Sequence, residues 1–167
     1  MTTSYCLLPV SVSPPHHRYK SAHLHADLFH LRHNPPKTSK MQVNSMTFRE
    51  GQEFKVRVRP NSGCNSFAIN IGHNPENIAL HFNPRFDSNS IVCNHLSGGS
   101  WGEEHREGFL PFSRGEESKF YITLSSDHFY IRLPDGNMIS FPNRLGDVKY
   151  QYFDVSGDAR IVGIKIK

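Results

Sequence analysis

Seven side chains between residues 81 and 106 have the chemistry of a ligand-binding site: His81, Asn83, Arg85, Asn94, Trp101, Glu104 and Arg106. They supply an imidazole, two carboxamides, a carboxylate and two guanidinium groups, together with the only tryptophan of the chain. In an extended strand His81, Asn83 and Arg85 point to one face, because side chains alternate along a strand. The sequence therefore predicts a polar binding surface on one face of a β-sheet.

The alternation also predicts which neighbours enter the core: Leu80, Phe82, Phe86, Ile91 and Cys93. Trp101 and Glu104 are three residues apart, so they share a face only if Gly102 permits a bend or a bulge. The Gly-Gly-Ser stretch 98–100 predicts a loop immediately before them. Pro84 has no N–H to donate, so we expect the strand to be distorted or unpaired at that position.

This mixture of groups suits a polyhydroxylated ligand. Sugar hydroxyls both donate and accept hydrogen bonds, and a face of C–H groups can lie on an indole ring. Galactose presents such a face, because its axial 4-hydroxyl leaves one side of the ring clear. Glu104 lies between Arg85 and Arg106 in this scheme and would repel phosphate or nucleic acid. The carboxylate therefore favours a neutral ligand.

The same residues carry a family resemblance. The segments His81–Arg85 (HFNPR), Ile91–Asn94 (IVCN) and Trp101–Arg106 (WGEEHR) resemble the signature of the galectins, the β-galactoside-binding lectins. Segments 66–72, 133–136 and 141–145 are similar to galectin strands and turns. The resemblance covers about residues 41–167 and is closest to the single-domain prototype kind, of the galectin-1 and galectin-2 types.

The resemblance implies a role for each of the seven residues. His81, Asn83 and Arg85 would engage the axial 4-hydroxyl of galactose, and Trp101 its apolar ring face. Asn94 and Glu104 would engage the 6-hydroxyl. Arg85, Glu104 and Arg106 would reach the adjoining glucose or N-acetylglucosamine. The resemblance implies neither a cofactor nor a metal ion.

Two other classes of function compete with this interpretation. A glycosidase needs two suitably spaced carboxyl groups, whereas only Glu104 has a supporting constellation and Arg85 and Arg106 would keep it ionised. A galectin-fold protein that serves structural packing without binding sugar is the other alternative. Taken alone, Glu104 and Arg106 would be an ordinary exposed ion pair. The complete set of seven residues favours a lectin that is not an enzyme.

Charge and cysteine content limit the partners and the compartment. The formal charge of +4 belongs to residues 1–40, whereas residues 41–167 hold 14 basic and 14 acidic side chains. We therefore predict no nucleic-acid partner. Cys6, Cys64 and Cys93 are odd in number and suggest no disulfide framework, and no apolar run suggests membrane insertion. These features predict a cytoplasmic protein, and the resemblance implies export by a non-classical route.

Residues 1–40 differ in composition from the rest of the chain. They contain five of the eleven prolines and six of the eleven histidines, without strand or helix periodicity. We expect a disordered basic extension, either natural or upstream of the natural start at Met41. The histidines suggest at most loose metal binding. The predicted domains are thus an extension over 1–40 and a carbohydrate-recognition domain over 41–167.

From residue 48 onward the chain alternates short strand signals with turn signals. The predicted strands are 53–59, 66–72, 78–85, 91–95, 102–108, 119–125, 129–133, 138–141, 148–155 and 161–167. Many strands with few helix signals indicate an all-β fold, a sandwich of two antiparallel sheets of jelly-roll type. The turn at 134–137 contains Gly136, which tolerates positive φ.

The terminal strands carry a further expectation. Segments Val43–Phe48 and Ile161–Lys167 would leave sheet edges without partners. Together with the resemblance to prototype galectins, this predicts a symmetric homodimer that crosslinks glycans on glycoproteins or glycolipids through two sugar sites.

Overall fold

A computed structural model describes residues 40–167, apart from the side chains of Asn44 and Ser45. This part of the chain forms strands and contains no helix that could cross a membrane. The strands are β1 (Met41–Arg49), β2 (Glu53–Pro60), β3 (Phe67–Asn74), β4 (Asn77–Arg85), β5 (Ser90–Ser97), β6 (Ser100–Trp101), β7 (His105–Glu107), β8 (Ser118–Leu124), β9 (His128–Arg132), β10 (Met138–Pro142), β11 (Lys149–Gly157) and β12 (Ala159–Ile166).

The strands form two antiparallel sheets. The seven-stranded sheet has the order β1-β11-β3-β4-β5-β6, with β7 also paired to β5. The five-stranded sheet has the order β10-β9-β8-β2-β12. Strands β1 and β12 each lie at an edge of their sheet. This architecture confirms the predicted all-β, two-sheet jelly-roll sandwich.

The core lies between the sheets, and strand alternation fills it. In β2 the side chains of Phe54, Val56 and Val58 are buried, whereas the residues between them reach solvent. Aromatic rings dominate the contact between sheets: the centroids of Phe82 on β4 and Phe120 on β8 lie 5.1 Å apart. The seven-stranded sheet thus has one face against the core and one face toward solvent. The polar residues of β4 and β5 lie on this second face, called the site face below.

Nine of the ten predicted strands are confirmed within about two residues at each end. The predicted strand 102–108 is wrong, because the segment forms the two short strands β6 and β7 with residues 102–104 between them outside any strand. Gly102 lies at this break, where its backbone packs directly against the ring of His95 and leaves no room for a side chain. The predicted turn is confirmed: Gly136 has φ of 87°, and Leu133 and Asn137 close the β9–β10 hairpin.

The first described strand, β1, begins at Met41, and the predicted boundary between residues 1–40 and 41–167 stays a prediction. The expected extension over 1–40, its histidines and Cys6 lie outside the described residues, except for Lys40. Cys64 and Cys93 are buried free thiols, and burial raises the pKa of Cys93 to about 12. Cys93 is therefore a core thiol, as predicted.

Candidate functional site

Strands β4 and β5 bring the first polar residues together. His81 lies directly opposite Asn94 in the antiparallel register, and Asn83 lies opposite Val92. Leu80 and Phe82 are fully buried on the core side, which confirms the predicted alternation. His81 and Asn94, from two neighbouring strands, are therefore fixed side by side on the site face.

Pro84 interrupts the ladder between β3 and β4, as predicted. Regular pairing ends at Ile69 and Phe82, and an isolated bridge resumes at Ser66 and Arg85. The position opposite Pro84 is Phe67, whose carbonyl oxygen accepts a hydrogen bond from Asn83 Nδ2 at 2.7 Å. Asn83 therefore satisfies a backbone acceptor that a proline cannot reach.

Asn83 also orients the guanidinium of Arg85. Arg85 Nε donates to Asn83 Oδ1 at 2.7 Å. Both polar atoms of the Asn83 amide are thus bonded within the protein, and the residue is only 8% exposed. Asn83 lies beneath the site face and supports Arg85 from below.

A tight hairpin places Trp101 above the site face. Gly98 and Gly99 both have positive φ, 56° and 79°, which matches a two-residue hairpin turn between β5 and β6. Trp101 pairs with Leu96 across this hairpin. Its side chain is 53% exposed, and its ring centroid lies 4.8 Å from that of His81. An indole so exposed beside polar groups offers a platform for an apolar ligand face.

The loop after Trp101 is held by Arg144, from the segment that follows β10. Arg144 Nη1 donates to the carbonyl oxygen of Glu103 at 2.7 Å and lies 3.1 Å from His95 Nδ1. Its guanidinium stacks on Phe141, 4.9 Å from the ring centroid. Asn94 Nδ2 donates to the carbonyl oxygen of Gly102 at 2.9 Å. These contacts bring Glu104 back to the face that Trp101 occupies.

Three charged residues form a chain along the rim of the site. Glu104 Oε1 accepts from Arg85 Nη2 at 3.4 Å, and Glu104 Oε2 lies 3.5 Å from Arg106 Nη2. Arg106 is tied to β5 through a 3.0 Å hydrogen bond to Ser90 Oγ. Glu104 thus lies between two cations, as the sequence predicted, and the triad exposes both donors and acceptors to solvent.

A second hydrogen-bonded chain runs under His81 across three strands of the sheet. His81 Nδ1 lies 2.6 Å from Asn70 Oδ1, and Asn70 Nδ2 donates to Asp154 Oδ1 at 2.5 Å. The hydroxyl of Tyr152 donates to Asp154 Oδ2 at 3.0 Å. Asn70 and Asp154 pair directly in the β3–β11 ladder, and Asn70 pairs with His81 in the β3–β4 ladder. The polar row of the site therefore extends well beyond the seven predicted residues.

This chain fixes the protonation state of His81. Asn70 uses its amide nitrogen toward Asp154, so its oxygen faces His81 and Nδ1 must donate. Burial lowers the pKa of His81 to about 4, and the nearby Arg85 charge contributes in the same direction. At neutral pH the ring is uncharged, and Nε2 is left as a hydrogen-bond acceptor.

The result is one half-open groove with a volume of about 410 Å³ on the site face. The side chains and backbone around it are His81, Arg85, Asn94, Trp101, Gly102 and Glu104. Five of the seven predicted residues thus line the groove. Asn83 lies beneath it, and Arg106 reaches it through Glu104.

Several residues that shape the groove escaped the sequence analysis. Asn70, Arg144 and Asp154 come from β3, the segment that follows β10, and β11, all outside the stretch 81–106. The only local signal is a polar residue within an apolar strand, as Asn70 lies between Ile69 and Ile71. Among residues 40–167, no cluster of three or more His, Cys, Asp or Glu side chains is arranged to hold a metal ion.

A groove with paired donors and acceptors and an exposed indole, on one sheet of a β-sandwich, defines a sugar-binding protein of the lectin class. Comparison with known proteins gives the particular family. The chain belongs to the galactoside-binding lectin family, whose model matches residues 38–166. Members of this family are lectins and not enzymes, so the glycosidase alternative is set aside.

Relatives in sequence and structure agree with this assignment. Human galectin-2 is 42% identical over 130 residues, which cover 78% of this chain and 98% of the relative. A β-galactoside-binding lectin from Electrophorus electricus is 45% identical over 126 residues, covering 73% of this chain and 93% of the relative. The crystal structure of chicken galectin 2 superposes with a TM-score of 0.75 at 33% identity, covering 77% of this chain and all of that one.

Proposed function

We propose that this protein binds terminal β-galactosides, with lactose and N-acetyllactosamine as its simplest ligands. The observation that carries the proposal is the groove in which the exposed Trp101 indole stands over His81, beside the Arg85–Glu104 pair. A galactose ring placed there would lay its C–H face on the indole and direct its axial 4-hydroxyl at the polar row.

The groove offers this hydroxyl partners of both kinds. Nε2 of the neutral His81 ring accepts a hydrogen bond from the hydroxyl group, and the Arg85 guanidinium donates a hydrogen bond to the hydroxyl oxygen. The equatorial 4-hydroxyl of a glucoside would point away from both groups. They would then lose water without gaining a partner, which costs about 1–3 kcal/mol for each buried polar group.

The decisive experiment is titration with lactose and with cellobiose, which differ at this hydroxyl, while the fluorescence of the single tryptophan is recorded. We expect lactose to change the Trp101 emission with saturation and cellobiose to leave it unchanged. A chelator should not alter the lactose titration. Equal responses to both sugars would refute the proposal, and no response to either would favour the structural, non-binding alternative.

Two variants test the assignment of the site residues. Trp101→Leu should remove the stacking surface, and Arg85→His should remove charge-assisted hydrogen bonds, each weakening lactose binding by roughly 1.5–3 kcal/mol. Both side chains are outside the core, so the circular dichroism spectrum and thermal midpoint should stay near those of the parent. Tyr130→Leu, an exposed aromatic on the other sheet, is the matched control and should bind lactose normally.

The glycan-crosslinking part of the proposal requires a homodimer. Strands β1 and β12 are the terminal strands of the two sheets, so each has one edge with no neighbour among the described strands. Pairing of two copies across these edges by a twofold axis would present two sugar sites and provide avidity on clustered glycans.

Sedimentation and cell agglutination test the dimer, for the full chain and for a form that starts at Met41. A dimer for both forms supports the proposal, and a dimer only after truncation assigns an inhibitory role to residues 1–40. A shortened form that stays monomeric at high concentration and fails to crosslink cells would refute it.

The compartment is a separate proposal. We propose synthesis in the cytoplasm followed by non-classical export, supported by family membership and by the free thiols of Cys64 and Cys93. Untagged protein should appear in the medium of expressing cells when the classical secretory route is blocked. Loss of the extracellular fraction under that block would contradict the proposal.

A further inference from the structure

The solvent face of the five-stranded sheet, opposite the site face, concentrates basic side chains. Strands β2, β8, β9 and β12 present seven of them: Lys55, Arg57, Arg59, Lys119, Arg132, Arg160 and Lys165. These positions alternate with core residues, so the side chains leave the sheet on its outer side. This set is called the basic face below.

Carboxylates are scarce on this surface. The strands of the sheet contain one, Glu53, and Glu117 stands immediately before β8. With seven cations against two anions, the basic face has a formal charge of +5. Residues 41–167 as a whole are neutral. The remaining surface must therefore carry the opposite charge, and the net charge of the domain conceals a strong separation of sign.

The strand register brings like charges together. Lys55 is directly opposite Lys165 on one side, and Arg57 is directly opposite Lys119 on the other. Arg59 is opposite Arg160. Like charges in such cross-strand positions destabilise a sheet. Three such pairs in one sheet are therefore a cost to folding that a bound counter-charge would relieve.

The carboxylates present neutralise only part of the basic face. Glu117 pairs with Arg57 at 2.5 Å and with Arg59 at 3.8 Å, and Glu53 pairs with Arg132 at 3.3 Å. Among the described residues, no carboxylate lies within ion-pair distance of Lys55, Lys119, Arg160 or Lys165. Lys55 has the ring of Tyr121 near it, 5.8 Å from the centroid.

The shape of the basic face favours an extended chain as its partner. Neighbouring strands are about 4.8 Å apart and alternate residues along one strand about 6.7 Å apart, which gives a regular grid of cations on the twisted sheet. Two shallow depressions, of about 190 and 460 Å³, flank Lys55 and Arg57. Gly163 lines the first, and its missing side chain leaves room between Arg57 and Lys165.

We propose that the basic face binds a sulfated polysaccharide, independently of the sugar groove. Sulfate groups repeated along a flexible chain can meet cations spread over several strands. Duplex DNA is a stiff cylinder and would touch only a narrow strip of the sheet, and residues 40–167 form no helix that could enter its major groove. A membrane is disfavoured because the exposed apolar side chains of this sheet, Tyr130 and Met138, lie on β9 and β10, whereas the four cations without a carboxylate partner among the described residues lie on β2, β8 and β12, so insertion of the apolar side chains would not engage those cations.

The experiment measures binding of a heparin-derived oligosaccharide to the full chain by calorimetry, over a series of salt concentrations. We compare the parent with Lys119→Gln/Lys165→Gln, which removes two cations that have no carboxylate partner among the described residues. The matched control is Arg49→Gln/Lys149→Gln, which removes two exposed cations that lie opposite each other in the β1–β11 ladder. Both double variants lower the net charge equally and share residues 1–40.

We expect the parent to bind the oligosaccharide and to show no binding of its desulfated form. The basic-face variant should bind about tenfold more weakly at 0.15 M salt. The slope of its log binding constant against log salt concentration should be smaller than the parent's by close to two, whereas the control should match the parent. Saturating lactose should not compete, and the variant should bind lactose normally.

Four results would overturn the proposal. They are absence of binding at 0.05 M salt, equal affinities of the two double variants, competition by lactose, and tighter binding of duplex DNA or phosphatidylserine vesicles than of heparin at the same salt. Equal losses in the two variants would assign the effect to net charge, and no loss in either would assign the binding to residues outside the basic face.

Discussion

Asp154 and Asn70 determine the chemical state in which His81 meets a ligand. Neither residue lines the groove, but Asp154 fixes the amide of Asn70, and Asn70 in turn fixes the proton of His81 on Nδ1. A free Asn70 amide could rotate and present its nitrogen to the ring. His81 would then keep its proton on Nε2, and the acceptor facing the groove would be lost.

We therefore predict that Asp154→Ala weakens lactose binding about five- to tenfold, roughly 1–1.5 kcal/mol, without unfolding the protein. The Asp154 charge raises the His81 pKa within the folded protein, so its removal should lower that pKa further, as NMR titration would measure. Asp154→Asn is the control, because it retains an oxygen for Asn70. Unchanged lactose affinity in Asp154→Ala would show that Asn70 needs no anchor.

The low pKa of His81 predicts a specific dependence on pH. The unfolded ring titrates near 6.5 and the folded ring near 4, so the unfolded state binds more protons between these values. The contribution of the neutral His81 ring to the free energy of unfolding is fully present above pH 6.5. It declines by up to about 3 kcal/mol as the pH falls toward 4. Denaturant unfolding of parent and His81→Gln should give curves that converge over this window. Curves that stay parallel would contradict the buried, neutral ring.

At the level of the element, the break between β6 and β7 gives the site its shape. An unbroken strand would send Trp101 and Glu104 to opposite faces. The chain leaves the strand at Gly102, whose backbone lies so close to the His95 ring that only glycine fits there. The loop then turns Glu104 back toward Arg85, and Arg144 holds it there.

Gly102→Ala should accordingly weaken lactose binding by tenfold or more and disturb stability only slightly. The His95 ring can move, but Arg144 and the Trp101–Glu104 segment move with it, and small displacements of binding groups are costly. Gly108→Ala is the matched control and should behave like the parent, since a methyl group added at Gly108 would have no atom within 4 Å apart from those of its chain neighbours. The two affinities come from the same fluorescence titration, and equal values would refute this role of Gly102.

At the level of the whole molecule, the aromatic core joins the seven-stranded sheet, which carries the site face, to the five-stranded sheet, which carries the basic face. Phe120 is fully buried on β8, and its ring contacts Phe82 on β4 and Phe112, with centroids 5.1 and 5.8 Å away. Phe82 lies in the same strand as His81 and Arg85, on the opposite face. The rigidity of the groove therefore depends on packing between the sheets.

Phe120→Ala should lower the free energy of unfolding by about 3–5 kcal/mol, because it leaves a cavity at the centre of the sandwich. Tyr130→Ala, at a position 38% exposed on the neighbouring strand, should cost less than about 1 kcal/mol. Chemical denaturation of both variants gives the comparison. Similar losses of unfolding free energy in the two variants would show that Phe120 is not at the centre of the core.

Local pattern alone predicted most of the fold and most of the groove. Strand alternation identified Leu80 and Phe82 as core residues and His81 and Arg85 as site residues, because the period of two is a property of any extended chain. Pro84 and Gly136 were interpretable for the same reason, since their effects on the backbone are local. The segment 102–108 was mispredicted as one strand, because residues 102–104 leave the strand where Gly102 packs against His95 and Arg144 bonds the Glu103 carbonyl, and the local pattern does not include these contacts.

The tertiary structure decided the features that depend on register between distant strands. It placed Asn70 and Asp154 under His81, placed Asn83 beneath Arg85, and brought Arg144 to the loop after Trp101. It also collected the cations of four strands on one face of a neutral domain. Sequence determines which side of a strand a residue occupies, but its neighbours across the sheet are set only when the strands pair, and pairing depends on the whole fold.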